Sequence, residues 1–88
     1  MSYKTKGISI VIPAYNESGA FSSVLKNIKL DLDGLVDEII VVDDCSIDDT
    51  LKKAKDEDVI VIEHKKNTGY GGALKTGIKN SKGKYILM

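Results

Sequence analysis

Short β-branched runs alternate along this chain with stripes of helical period, and the alternation restricts the fold more than any single motif. Ile8 to Ile12, Glu38 to Val42 and Val59 to Ile62 read as strands, largely apolar at successive positions as in sheets covered on both faces. Phe21, Val24, Leu25 and Ile28 recur at i, i+3, i+4 and i+7, one face of a helix with Asn16 or Ser18 as its cap. Leu51 and Ala54 open a short, polar second helix; Ala73, Leu74, Gly77 and Ile78 form a third stripe, broken around Ser81 to Gly83. Tyr85 to Met88 starts a fourth strand. Strand–helix alternation of this kind predicts an α/β fold: an open, doubly wound parallel sheet of about four strands with three helices.

The 88 residues allow one domain or part of a larger one. Thirteen cationic residues, all Lys, balance thirteen acids, so no net field favours nucleic acid or an anionic membrane. Without Arg, a phosphate ligand would rely on backbone N–H groups, Lys or a metal ion. The single cysteine, Cys45, excludes an internal disulfide and fits a reducing compartment, so a cytoplasmic location is expected. No apolar stretch approaches the ~20 residues that span a bilayer.

In parallel sheets, ligands bind outside the carboxyl ends of the strands. Three strand ends here carry unusual chemistry: PAYNE, DDCSIDD and NTGYGG. Pro13 ends the first strand, Tyr15 offers a ring for stacking and Glu17 an acceptor; a plain turn with a helix-starting acid explains them equally well. Asp43 and Asp44 are adjacent on a strand end, so their side chains should point to opposite sides, one toward a crevice and one toward its own loop. Asp48 and Asp49 sit where a helix begins and suit capping, and Ser46 and Asp49 have the spacing of a capping box. Cys45 fills a tight turn, and the lone His64 reads as a surface residue.

The glycine block fails two familiar patterns. Leu74 stands where both the dinucleotide fingerprint and the phosphate loop require a small residue or glycine. Two readings stay open: a helix start whose glycines let the backbone turn and pack closely, or one whose N–H groups also border an anionic ligand.

Taken in order, ISIVIPAYNE, EIIVVDDCSIDDT, NTGYGGALKTGI and GKYILM resemble the amino-terminal half of family-2 glycosyltransferases of the GT-A fold, nearest in look to the polyprenyl-phosphate mannosyl- and glucosyltransferases. The likeness runs from about Gly7 to Met88. It implies a Rossmann-like nucleotide-binding half that takes a UDP- or GDP-sugar donor, for transfer to an acceptor such as a polyprenyl phosphate or a growing glycan. By the same resemblance, Pro13, Tyr15 and Glu17 hold the nucleoside, Val42 and Asp44 meet base and ribose, and Gly69, Gly71 and Lys75 run beside the donor. The family's acidic metal motif follows the fourth strand, so the ligands for Mg²⁺ or Mn²⁺, and the catalytic base, are expected beyond Met88. The 88 residues are thus expected to be one domain that is inactive alone, its membrane-associated acceptor met through missing regions. Rival readings are a receiver-like signalling module and a non-catalytic interaction fragment that self-associates through a cut sheet edge.

Overall fold

The computed structural model describes residues 7–83 and 85–87. The elements are β1 (Ile8–Ala14), α1 (Ser18–Asp31), β2 (Glu38–Asp43), α2 (Thr50–Lys55), β3 (Ile60–Glu63), α3 (Gly69–Asn80) and β4 (Tyr85–Leu87). Met88, expected in the fourth strand, lies outside the described residues. The strands form one sheet in the order β3-β2-β1-β4, parallel throughout. Among the described residues no helix is long and apolar enough to cross a membrane.

Alternation along the strands sends successive side chains to opposite faces. Val41, Ile39 and Val61 pack with Phe21 and Leu25 of α1 and Ala54 of α2. Ile40, Val42 and Ile62 pack on the other face beneath Ala73 of α3. The sheet is therefore covered on both sides, which is why its central strands read as unbroken apolar runs. Val24, expected in the buried stripe of α1, is instead half exposed, and Phe21 and Leu25 carry the contact.

β1 does not stop at Pro13. It runs on to Ala14, with Pro13 opposite Val42 and Ala14 opposite Asp43, and among the described residues β4 pairs with β1 at Ile8, Ser9 and Ile10. Connections also reverse direction here: β1 leads to β2 and β3 on one side, whereas α3 carries the chain back past β2 and β1 to β4. Such a reversal leaves a crevice at the carboxyl ends of the strands.

α3 approaches β1 closely. A Cβ on Gly77 would overlap the Val11 side chain, so only glycine lets the helix lie this near the strand. At the opposite, amino-terminal edge, the buried Ser9 hydroxyl donates to Glu38 Oε2 and accepts from Gly83 N–H at 2.9 Å. Glu38 Oε2 also accepts Lys82 N–H, and the two bonds pin the approach to β4. Hydrogen bonds from the Lys82 backbone and the Ser9 hydroxyl hold the Glu38 carboxyl below its ordinary value.

Candidate functional site

The loops after β1 and β2 are stitched together by side chains. Asn16 has φ 51° and Cys45 φ 66°, so each loop turns through the left-handed region. Asn16 tolerates that region well, and its Oδ1 accepts Ile47 N–H at 2.8 Å while its own N–H reaches Ser46 Oγ at 2.9 Å. Ser46 in turn gives its hydroxyl to Asp43 Oδ1 at 2.6 Å and its N–H to Asp43 Oδ2 at 3.1 Å. Asp43 therefore supports its own loop, and Ser46 does not join Asp49 in a capping box.

Asp48 does more than start the second helix. Its Oδ1 accepts the N–H and hydroxyl of Thr50, and its Oδ2 accepts Ser18 N–H, the first amide of α1, at 3.3 Å. Those bonds, with Thr50's hydroxyl foremost, hold the Asp48 carboxyl below its ordinary value. Thr50 Oγ1 also accepts Glu17 N–H at 2.8 Å. Neither Asn16 nor Ser18 caps α1 with its own side chain; the following loop supplies the acceptors.

Asp44 points the other way from Asp43. Only 3% exposed, it seals the amino end of α3. Oδ1 accepts Thr68 N–H at 2.9 Å, Thr68 Oγ1–H at 2.9 Å and His64 Nδ1–H at 2.8 Å, and Oδ2 accepts Gly69 N–H at 2.8 Å. Burial pushes the carboxyl up, but the bonds from His64, Thr68 and Gly69 outweigh it and hold Asp44 at about 2. Gly69 takes φ +85°, which aims its N–H at the carboxylate as the helix starts. An internal anion thus occupies the place that a helix N-terminus would offer to a phosphate. A carboxylate presents about four acceptor positions, and the uneven sharing, three donors on Oδ1 and one on Oδ2, leaves room at Oδ2.

A cleft of about 270 Å³ opens at this edge, lined by Pro13, Ala14, Tyr15, Glu17, Asp44, Asn67, Gly69, Tyr70 and Ala73. Of the eight positions marked in the sequence, five meet there: Pro13, Tyr15, Glu17, Asp44 and Gly69. Three do not. Val42 is fully buried under α3, because strand alternation places it on the face that the helix covers. Gly71 is exposed and absent from the lining, and Lys75 borders a separate surface depression with Gly72, Thr76 and Lys79. Helical rotation carries both away from Gly69. Asn67, Tyr70 and Ala73 join the lining as well; in the sequence the NTGYGG block and Ala73 stand out as a segment, but neither Asn67 nor Tyr70 is singled out. His64, expected at the surface, is a half-buried brace with Nδ1 on Asp44 and Nε2 2.7 Å from Thr76 Oγ1.

Among the described residues no group of three or more His, Cys, Asp or Glu is placed to hold a metal ion. Of the cleft's two carboxylates, Asp44 is committed to α3, so these residues do not by themselves fit a divalent ion.

A doubly wound parallel sheet with a cleft at its carboxyl edge, where Asp43 and Asp44 are both buried, defines the class of open α/β proteins that take ligands at that edge. Comparison with known proteins narrows this further. The model of the family described as glycosyl transferase family 2 matches residues 9–88, and the chain belongs to that family. A dolichyl-phosphate beta-glucosyltransferase of Homo sapiens is 40% identical over 99 residues, covering 96% of this chain and 30% of the relative. The UDP-N-acetylglucosamine–dolichyl-phosphate N-acetylglucosaminyltransferase of Methanococcus voltae is 36% identical over 93 residues, covering 86% of this chain and 36% of the relative. Among solved structures, glucosyl-3-phosphoglycerate synthase from Mycobacterium tuberculosis, in complex with Mn²⁺, UDP-glucose and glycerol 3-phosphate, superposes with TM-score 0.78 at 35% identity. That match covers 90% of this chain and 31% of the synthase chain. The chain spans about a third of the length of these relatives. Family membership removes the receiver-like reading and establishes the GT-A fold.

Proposed function

We propose that the cleft holds the nucleoside of a nucleotide-diphospho-sugar donor, and that the chain is the donor-binding half of a glycosyltransferase acting on an acceptor such as a polyprenyl phosphate or a growing glycan. The observation that carries this reading is the convergence of Pro13, Tyr15, Glu17, Asp44 and Gly69 on one cleft at the carboxyl edge of the sheet. Asp44 is the recognition residue: held ionised and rigid, it keeps one acceptor position at Oδ2. A single acceptor suits the lone imide N–H of uracil better than the paired donors of guanine, so uridine is the favoured base. The UDP-linked names among the relatives support the same choice.

In this reading the diphosphate lies away from the start of α3, where Asp44's charge would repel it. The Mn²⁺ in the related synthase supports a divalent ion in the complete enzyme. The same synthase also takes Mg²⁺ with UDP, so either ion suits the reading, with its ligands outside the described residues. Acceptor binding and the catalytic base belong outside the 88 residues too, so this chain alone binds donor without transferring sugar. The single Cys45, unpaired, supports a cytoplasmic location.

Calorimetric titration with uridine diphosphate and guanosine diphosphate, with and without Mn²⁺, tests the proposal. Uridine diphosphate should bind more tightly, and Asp44→Asn should weaken it by about 1–3 kcal/mol. Equal, unaltered binding by Asp44→Asn would return Asp44 to a purely structural role. Sugar transfer by the chain from a radiolabelled donor would overturn the division of labour.

A further inference from the structure

Tyr15 and Tyr70 line the same cleft from two different elements, the β1–α1 connection and the first turn of α3. Both are large rings left open to solvent, 46% and 68% exposed. Neither belongs to a core cluster, so burial does not explain either ring. The residue before Tyr70 donates its N–H to Asp44, so the backbone of the first turn of α3 is tied to the sheet.

Resting on the nucleoside reading above, we propose that Tyr70 is a second aromatic wall of the base site. The nucleobase enters between Tyr15 and Tyr70, with its edge toward Asp44 Oδ2. An apolar floor of Pro13, Ala14 and Ala73 suits the flat faces of a base, and the two rings supply the stacking surfaces. Stacking is tolerant of base identity, so Tyr70 contributes affinity, and selection between bases rests with Asp44.

The chain has no Trp, so its emission reports tyrosines directly. Fluorescence titrations with uridine, uridine diphosphate and ribose 5-phosphate would compare the full chain with Tyr70→Ala, Tyr70→Phe and Asp44→Asn. Tyr70→Ala should weaken uridine and uridine diphosphate alike by about tenfold and reduce the quench, while Tyr70→Phe stays within about twofold of the parent. Ribose 5-phosphate should bind both forms equally. A ring 68% exposed and outside both core clusters can be removed without unfolding, and an unchanged urea midpoint verifies this. If Asp44→Asn weakens uridine but Tyr70→Ala does not, the second wall is wrong and the nucleoside site stands. If the parent chain binds neither uridine nor its diphosphate, both readings fall.

Discussion

Asp44 Oδ1 lies 2.8 Å from His64 Nδ1, a contact that joins the ends of β2 and β3, with Asp44 lining the cleft and His64 behind it. The carboxylate can only accept, so Nδ1 carries a proton; Nε2 faces Thr76 Oγ1 on α3. One imidazole therefore bridges two strands and a helix. His64→Ala should destabilise the fold by about 1.5–3 kcal/mol, the usual cost of losing a hydrogen bond to a charged group in a buried setting. Urea unfolding measures this, and a loss under about 0.5 kcal/mol would mean that Thr68 and Gly69 hold Asp44 unaided.

Acid should loosen the same junction. Asp44's carboxyl is depressed from 3.8 to about 2, so the unfolded chain takes up the proton more readily than the folded one. The stabilisation is fully present above the ordinary value and drains as pH falls from 3.8 through about 2, amounting to roughly 2 kcal/mol. Glu38 and Asp48 are shifted in the same sense and add to the trend. Urea midpoints across this range should fall steeply for the parent chain and less steeply for Asp44→Asn. Parallel profiles would assign the acid sensitivity to the other two acids.

Gly72 sets two effects against each other. Alanine is favoured over glycine within a helix by about 1 kcal/mol. A Cβ at Gly72, however, would overlap Thr68 Oγ1 and push its hydroxyl off Asp44. Gly72→Ala should therefore destabilise the chain by about 1 kcal/mol net, since lost bonds to a charged group outweigh propensity. In a Thr68→Ala background the clash is gone, and the same change should stabilise. A double-mutant cycle showing no such reversal would place the conflict elsewhere.

Gly77 presents the simpler case. Its added methyl would meet Val11, a fully packed residue on a central strand with nowhere to move. Gly77→Ala should cost about 1–3 kcal/mol through overpacking. Combining it with Val11→Ala should recover part of that loss, a rescue that thermal unfolding would reveal.

Much of the architecture was legible in the residues, because period-2 and period-3.6 patterns report burial directly. Three strand ends loaded with polar chemistry do meet along one edge of the sheet, and adjacency on a strand separates Asp43 from Asp44. What escaped depended on partners distant in sequence. Asp48 reads as a local cap, yet it also serves Ser18, thirty residues earlier. His64 gives no local sign of its brace, since Asp44 and Thr76 come to it only through the fold. Val42 and Lys75 were marked by family position, and alternation and helical rotation turn both away from the cleft.

The seal on α3 also bears on when the site comes into existence. Its carboxylate, imidazole and helix start come from residues 44, 64 and 68–69, and they meet only after β2 and β3 have paired and α3 has docked. A chain in which these elements have not met lacks the sealed cleft, so on the proposed donor reading a nucleotide would bind the native state alone. Ligand should then raise the whole unfolding transition by mass action rather than rigidify one loop, by about 2.7 kcal/mol at a hundredfold excess over its dissociation constant. On the proposed donor reading, binding becomes a readout of folding, and a thermal-shift screen of nucleotides tests the choice of donor.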